Sequence, residues 1–468
     1  MPSIKTNFAY KSLLTISNYL MAFITFPYIS RVLEVENIGL VNFVDNTINY
    51  FLLFATLGVG VLGVREIARV KNDRNERNIV FSNILGINLF FTLITIAIYI
   101  VAITIIPKFN QYSELFYIGS SKILFTVFLV EWFYTGMEEF KYITIRSLII
   151  KSIYVISVFV LINDVGDYKL YFYLTLSVTL INSVINLIHS RGYVRVIPSE
   201  LINFRFIREN LTLGIYQLMT SMYLTFNVMY LGLVSDNVQV GYYTTAYKLY
   251  SVILGFFTAF TNVMLPRMSS LIANQDNEYF EQLIKKSFSM VIIFSIPLIA
   301  CSIVLAPDIV YVLSGPGYDG AIVPMRIIMP AVIFVGIAQV LAIQILMPLK
   351  KDKVLLYTSI IGAFTSITIN FLFVGHMQSI GSSIVLLCSE LVVTLSYIVY
   401  IITKTEFRFR WSIIVNSLVY SLPSILICVY MPTYINNRYL ALLVTILCSI
   451  LVWGIIIHWR RKVISLFL

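Results

Sequence analysis

Eight charged residues stand in otherwise apolar sequence, and they are the ones able to do chemistry. Five are cations, Arg31, Lys122, Lys151, Lys248 and Arg326; three are acids, Asp45, Glu131 and Glu390. A charge at the bilayer centre costs roughly 2.5–3.5 kcal/mol on insertion scales, so each needs compensation. The cations could line a water-filled cavity between two helical bundles and hold an anionic group through charge-assisted hydrogen bonds. For Lys122, Lys248 and Arg326, one or two turns from a helix end, snorkelling to the interface is the alternative. Lys151 lies deeper and is hardest to explain that way. Asp45, Glu131 and Glu390 could each carry a coupling proton or sodium ion, although Glu131, near a helix end, suits an interfacial carboxylate equally well.

The elements that must position these groups are membrane helices. Hydrophobic residues make up 59% of the 468, charged residues only 12%, and mean hydropathy is +0.87. A soluble domain of this length needs far more charge on its surface. Apolar runs of about twenty residues recur throughout, enough to cross a hydrocarbon core of roughly 30 Å. They do not alternate with period two, which argues against strands. The expected fold is all-α, with about fourteen transmembrane helices near 10–31, 40–62, 79–106, 114–135, 143–162, 169–188, 210–233, 242–264, 286–306, 320–347, 354–374, 379–402, 412–431 and 438–459. Loops after even-numbered spans, with the termini, carry most cations. Examples are Arg65, Arg69, Lys71, Arg74 and Arg77, then Arg191, Arg195, Arg205 and Arg208, then Lys404, Arg408 and Arg410, with Arg460, Arg461 and Lys462 at the end. Loops after odd-numbered spans hold only Arg31, Lys108, Lys169 and Arg438. The positive-inside rule then puts both termini in the cytoplasm.

A pI near 9.2 could suit a nucleic-acid binder. The cations sit in short loops between spans, however, and point to topology and lipid head groups. The opening MPSIKTNFAYK is too polar for a cleavable signal. Cys301, Cys388, Cys428 and Cys448 fall in apolar segments and read as free thiols. No phosphate loop, paired-carboxylate motif or His/Cys cluster occurs, so no metal or cofactor is expected. The prolines Pro27, Pro297, Pro330 and Pro423 should kink their helices. Asn182 and Asn186 share one helix face, where interhelical hydrogen bonding is the plainer role.

The halves echo one another. Gly39 and Arg65 recur 202 positions later as Gly241 and Arg267, an offset of six spans. An even number of spans returns the chain to the same side, so the repeat is parallel. The expected division is a six-helix lobe over 1–200, a second over 201–405, and helices 13 and 14 in 406–468.

The stretch Phe26-Pro27-Tyr28-Ile29-Ser30-Arg31-Val32-Leu33, then Ile38-Gly39, resembles the opening of polysaccharide-biosynthesis flippases. Leu57-Gly58-Val59-Gly60 to Arg65-Glu66-Ile67-Ala68 resembles their second span. Val240-Gly241-Tyr242-Tyr243, then Leu265-Pro266-Arg267, resembles the matching segment of their second half. One departure is Glu34, where a glycine commonly follows the leucine; at an exposed turn this should matter little. The resemblance implies the fold shared with multidrug-and-toxin extruders and lipid II flippases, two pseudo-symmetric lobes around a central cavity. It also implies alternating access that moves an undecaprenyl-pyrophosphate-linked oligosaccharide from the cytoplasmic to the periplasmic leaflet of the bacterial inner membrane. The product would be a surface polysaccharide such as O-antigen, capsule or exopolysaccharide, with a polymerase and other assembly proteins as further partners. Rival readings are an ion-coupled drug or small-metabolite exporter of the same superfamily and a membrane-embedded polymerase or transferase. An enzyme would need a substantial outer loop or clustered acid, His and Arg residues, and the sequence offers neither.

Overall fold

The computed structural model describes residues 4–404 and 412–459, and among them every regular element is a helix. Arg408, Arg410, Arg460, Arg461 and Lys462 lie outside the described residues. Helices satisfy their own backbone groups, which hydrocarbon cannot do for them. Among the described residues ten helices are long and apolar enough to cross a membrane. An eleventh forms if Asp319–Ile328 and Ala331–Leu346, bent by 40°, are one span. That bend falls at Pro330, whose ring removes a backbone donor. Pro27, Pro297 and Pro423 stay inside helices.

The chain divides into two compact units, Met1–Val240 and Gly241–Leu468. The first contains α1 (Ile4–Ala55), α2 (Val59–Arg69), α3 (Arg74–Ile105), α4 (Ser113–Thr126), α5 (Glu131–Gly136), α6 (Phe140–Leu161), α7 (Tyr168–Ser190) and α8 (Ile207–Val234). Helix α1 is the hub, packing on α3, α4, α6 and α8. It is not one straight rod. At Glu34 the backbone leaves the helical region (φ 63, ψ 171), a conformation almost confined to glycine and worth about 1–3 kcal/mol of strain elsewhere. The glutamate at this position therefore matters more than its exposure suggests, because the turn itself asks for glycine. A second break follows α1 at Gly58 (φ 71), where a Cβ would meet Asn210 O at 2.1 Å. Asn210 on α8 donates to Leu57 O at 2.6 Å and holds the break.

Asp73 starts α3 by accepting from the Asn75 and Glu76 amides, an N-cap in the favoured residue class. Further along α3, a polar strip receives the chain segment that follows α7. Asn78 Oδ1 accepts from the Arg195 amide and Ser82 Oγ from the Ile197 amide, both at 2.9 Å. Arg77 reaches Tyr193 O at 2.9 Å. Gly86 leaves room for the Leu201 carbonyl. The strip is a seat for the 191–206 strap.

The second unit contains most of α9 (Asn237–Ala273), then α10 (Asn277–Val304), α11 (Ala306–Ser314), α12 (Ile322–Ile328), α13 (Ala331–Gln339), α14 (Asp352–Ile369), α15 (Gly375–Lys404), α16 (Ser412–Tyr430) and α17 (Arg438–Trp459). Helix α9 runs unbroken through Gly241 and Arg267, unlike the matching stretch of the first unit. Two π-helical segments, Val340–Leu346 and Asn370–Val374, widen the helices that carry them. The chain leaves the helical region again at Gln378 (φ 50, ψ -123), and α14 packs along α15. Helix α16 packs on α10 and α17. Ser424 Oγ donates to Ser449 O at 3.0 Å, and Cys428 Sγ lies 3.3 Å from Ser449 Oγ. All four cysteines are free thiols, Cys428 buried.

Candidate functional site

The first unit brings two of the charges expected from sequence into one ion pair. Gly119 on α4 sits where a Cβ would lie 2.3 Å from Ile48 Cδ1 of α1; a small residue lets two membrane helices approach closely. Three positions further along α4 is Lys122, and three positions back along α1 is Asp45. Lys122 Nζ meets Asp45 Oδ1 at 2.5 Å, with side chains 16% and 30% accessible. The other carboxylate oxygen accepts from Asn49 Nδ2 at 3.0 Å, one turn on. Tyr99, Tyr154 and Tyr171 lie within electrostatic reach of Asp45.

A second station is built around a broken helix. After α4 the chain takes one 3-10 turn and then Val130 adopts φ 36, ψ 34, a left-handed conformation rare for a β-branched residue. The break frees carbonyls, and α7 satisfies them. Ser183 Oγ donates to Phe125 O at 2.7 Å, and Asn186 Nδ2 donates to Leu129 O. Past the break, α5 settles on α2, where the Trp132 indole covers Gly63. Arg146 on α6, 6% exposed, donates to Glu131 Oε1 at 2.7 Å, to Ser147 Oγ at 3.0 Å, and to Asn186 Oδ1. Tyr142 donates to the same Asn186 oxygen at 3.1 Å and stacks on His189 at 3.9 Å. Lys151, half-buried, follows Arg146 on α6 and feels both Glu131 and Arg146 electrostatically.

The other four candidates lie elsewhere in the chain. Arg31 is exposed on α1 and donates to Pro27 O. In the second unit Lys248 is half-buried on α9, and exposed Arg326 donates to Ile303 O at 3.1 Å. Glu390 is 4% exposed on α15; one turn on, Thr394 Oγ1 donates to Phe334 O of α13 at 2.8 Å. Arg146 is not among the residues that the sequence pattern singles out. Its signal was Asn186, already marked as a hydrogen-bonding residue facing another helix. Among the described residues no group of His, Cys, Asp and Glu could hold a metal ion.

An all-helical membrane unit with broken helices and inward charge pairs has the form of a transporter lobe. The chain shares its fold with a structure titled "Lipid II flippase MurJ, inward closed conformation", at TM-score 0.75 and 16% identity, over 97% of this chain and 99% of that one. It also matches an inward-facing multidrug resistance MATE family transporter of the MOP superfamily, at TM-score 0.58 and 13% identity, over 88% and 95%. The family model "Polysaccharide biosynthesis protein" matches residues 4–272, more than half of the sequence, and the chain belongs to that family. A relative from Escherichia coli (strain K12), named "Putative O-antigen transporter", is 24% identical over 400 residues, covering 84% of this chain and 95% of its own.

Proposed function

We propose that this chain is a flippase for undecaprenyl-pyrophosphate-linked oligosaccharides, moving them across the bacterial cytoplasmic membrane by alternating access for surface polysaccharide assembly. The observation that carries the reading is a family membership in polysaccharide biosynthesis joined to a fold shared with a lipid flippase. The chemistry agrees. A pyrophosphate bearing sugars cannot cross hydrocarbon unaided, and cations inside the membrane offer it partners. Arg31, Lys122, Lys151, Lys248 and Arg326 are the residues proposed to meet the anionic group. Asp45, Glu131 and Glu390 are proposed to couple transport to an ion. Such a protein transports and catalyses no covalent step.

The same reading has fourteen crossings, with both termini in the cytoplasm. The backbone turns at Glu34 and Gln378 inside long helical runs, and the helix Ile207–Val234, support further crossings beyond the ten or eleven long apolar helices among the described residues. Six-span lobes over 1–200 and 201–405, with 406–468 appended, remain the proposed repeat. The test is reconstitution: purified protein in liposomes should move an undecaprenyl-pyrophosphate-linked glycan between leaflets. Movement no faster than in protein-free vesicles, alongside efflux of drug cations, would replace this reading with the exporter one.

A further inference from the structure

We infer that Asp45 is an internal stand-in for the substrate: its carboxylate pairs with Lys122, and a phosphate group of the arriving lipid displaces it. This rests on the flippase reading and adds a specific exchange to it. Three observations carry the inference. The first is donor capacity beyond the pair. A lysine ammonium has three N–H donors, and among the described residues Asp45 is its one hydrogen-bond partner. The second is exposure: the protein leaves 16% and 30% of the two side chains uncovered. The third is that Asp45 is provided for when it lets go. Asn49 Nδ2 on the same helix still donates to Oδ2.

Arg146 shows by contrast what a fixed pair looks like. Its guanidinium is buried and spends itself on Glu131, Asn186 and Ser147 together. Nothing there can leave without orphaning a buried group. Lys122 has a single acidic partner. An exchangeable carboxylate also answers a requirement of transport. A bare cation would hold pyrophosphate too long, whereas a tethered competitor at high effective concentration hastens release. Only an interaction that differs between states of the cycle can drive it.

The experiment measures binding of undecaprenyl pyrophosphate, without sugars, to the full-length protein in nanodiscs. Asp45→Asn and Asp45→Ala should each bind the lipid roughly three- to tenfold more tightly than wild type, the range expected from removing a partly exposed ionic competitor. Lys122→Gln should bind it more weakly, and adding Asp45→Asn to Lys122→Gln should restore nothing. Equal or weaker binding in both Asp45 variants overturns the exchange while leaving the flippase reading intact, provided wild type binds. If wild type itself fails to bind the lipid, both fall.

Discussion

Gly86→Ala tests whether the strap after α7 is seated on α3 as firmly as the geometry says. The added Cβ would lie 1.9 Å from Leu201 O, 2.6 Å from Leu201 C and 2.8 Å from Leu201 Cα. All three are backbone atoms, so no side chain can swing aside. Reaching even the 3.0 Å limit of real contacts requires the strap to move about 1.1 Å, enough to cost an overpacked site about 1–3 kcal/mol. The Asn83 Nδ2 bond to Glu200 O, already 3.4 Å long, would break. The Ser82 bond to the Ile197 amide at 2.9 Å would stretch. Each lost bond removes about 1 kcal/mol. If local opening of the strap becomes easier by about 2 kcal/mol, its open population rises roughly thirtyfold. Limited trypsin digestion reads this directly, since Arg191, Arg195 and Arg205 lie in the segment, and cleavage of an opened segment follows that population when opening is fast. Gly60→Ala is the control, because nothing lies within 4 Å of its Cβ. A cleavage rate in Gly86→Ala within twofold of wild type would refute the clamp.

Two further outcomes follow from the site and the topology. Lys151→Ala and Arg326→Ala should each lower glycan export by about ten- to a hundredfold at normal expression, the scale of a lost charged contact, with Lys151→Arg retaining part of the activity; wild-type export in both alanine variants would favour snorkelling. With the four native cysteines replaced, Gly166→Cys, Asp236→Cys and Asn436→Cys, all at exposed positions, should react with a membrane-impermeant thiol reagent in spheroplasts, whereas Asn72→Cys should not; strong labelling at position 72 would invert the proposed orientation.

What could be read from sequence was whatever announces itself by cost. Apolar runs gave the helical membrane class, and charges inside those runs marked residues worth weighing. The sequence could not show which charges meet. Lys122 and Asp45 are far apart in the chain, and their pairing depends on Gly119 and Ile48 bringing α4 against α1. Arg146 stayed hidden for a related reason. Near the start of an apolar run it reads as one more interfacial cation, and only the broken helix at Val130 and Asn186 on α7 bury it in a network. The polar positions Asn78, Ser82 and Asn83 had no period-based meaning, because their partners are backbone groups of a distant strap. At Glu34 exposure was legible but the left-handed backbone was not.

The two charged stations of the first unit differ in how many partners each cation engages. At the break, Arg146 spreads its donors over a carboxylate, an amide oxygen and a hydroxyl, while Asn186 also ties down Leu129 O. Removing any member there leaves a buried partner unsatisfied, a cost of about 1–3 kcal/mol. That station therefore suits the holding of a strained joint. At Lys122 one carboxylate faces an ammonium with three N–H donors, and the protein leaves both side chains partly uncovered. In the proposed exchange an arriving phosphate takes up those donors while Asp45 keeps its bond from Asn49. The same economy of satisfied and unsatisfied donors that fixes one helix joint leaves the other pair free to trade partners.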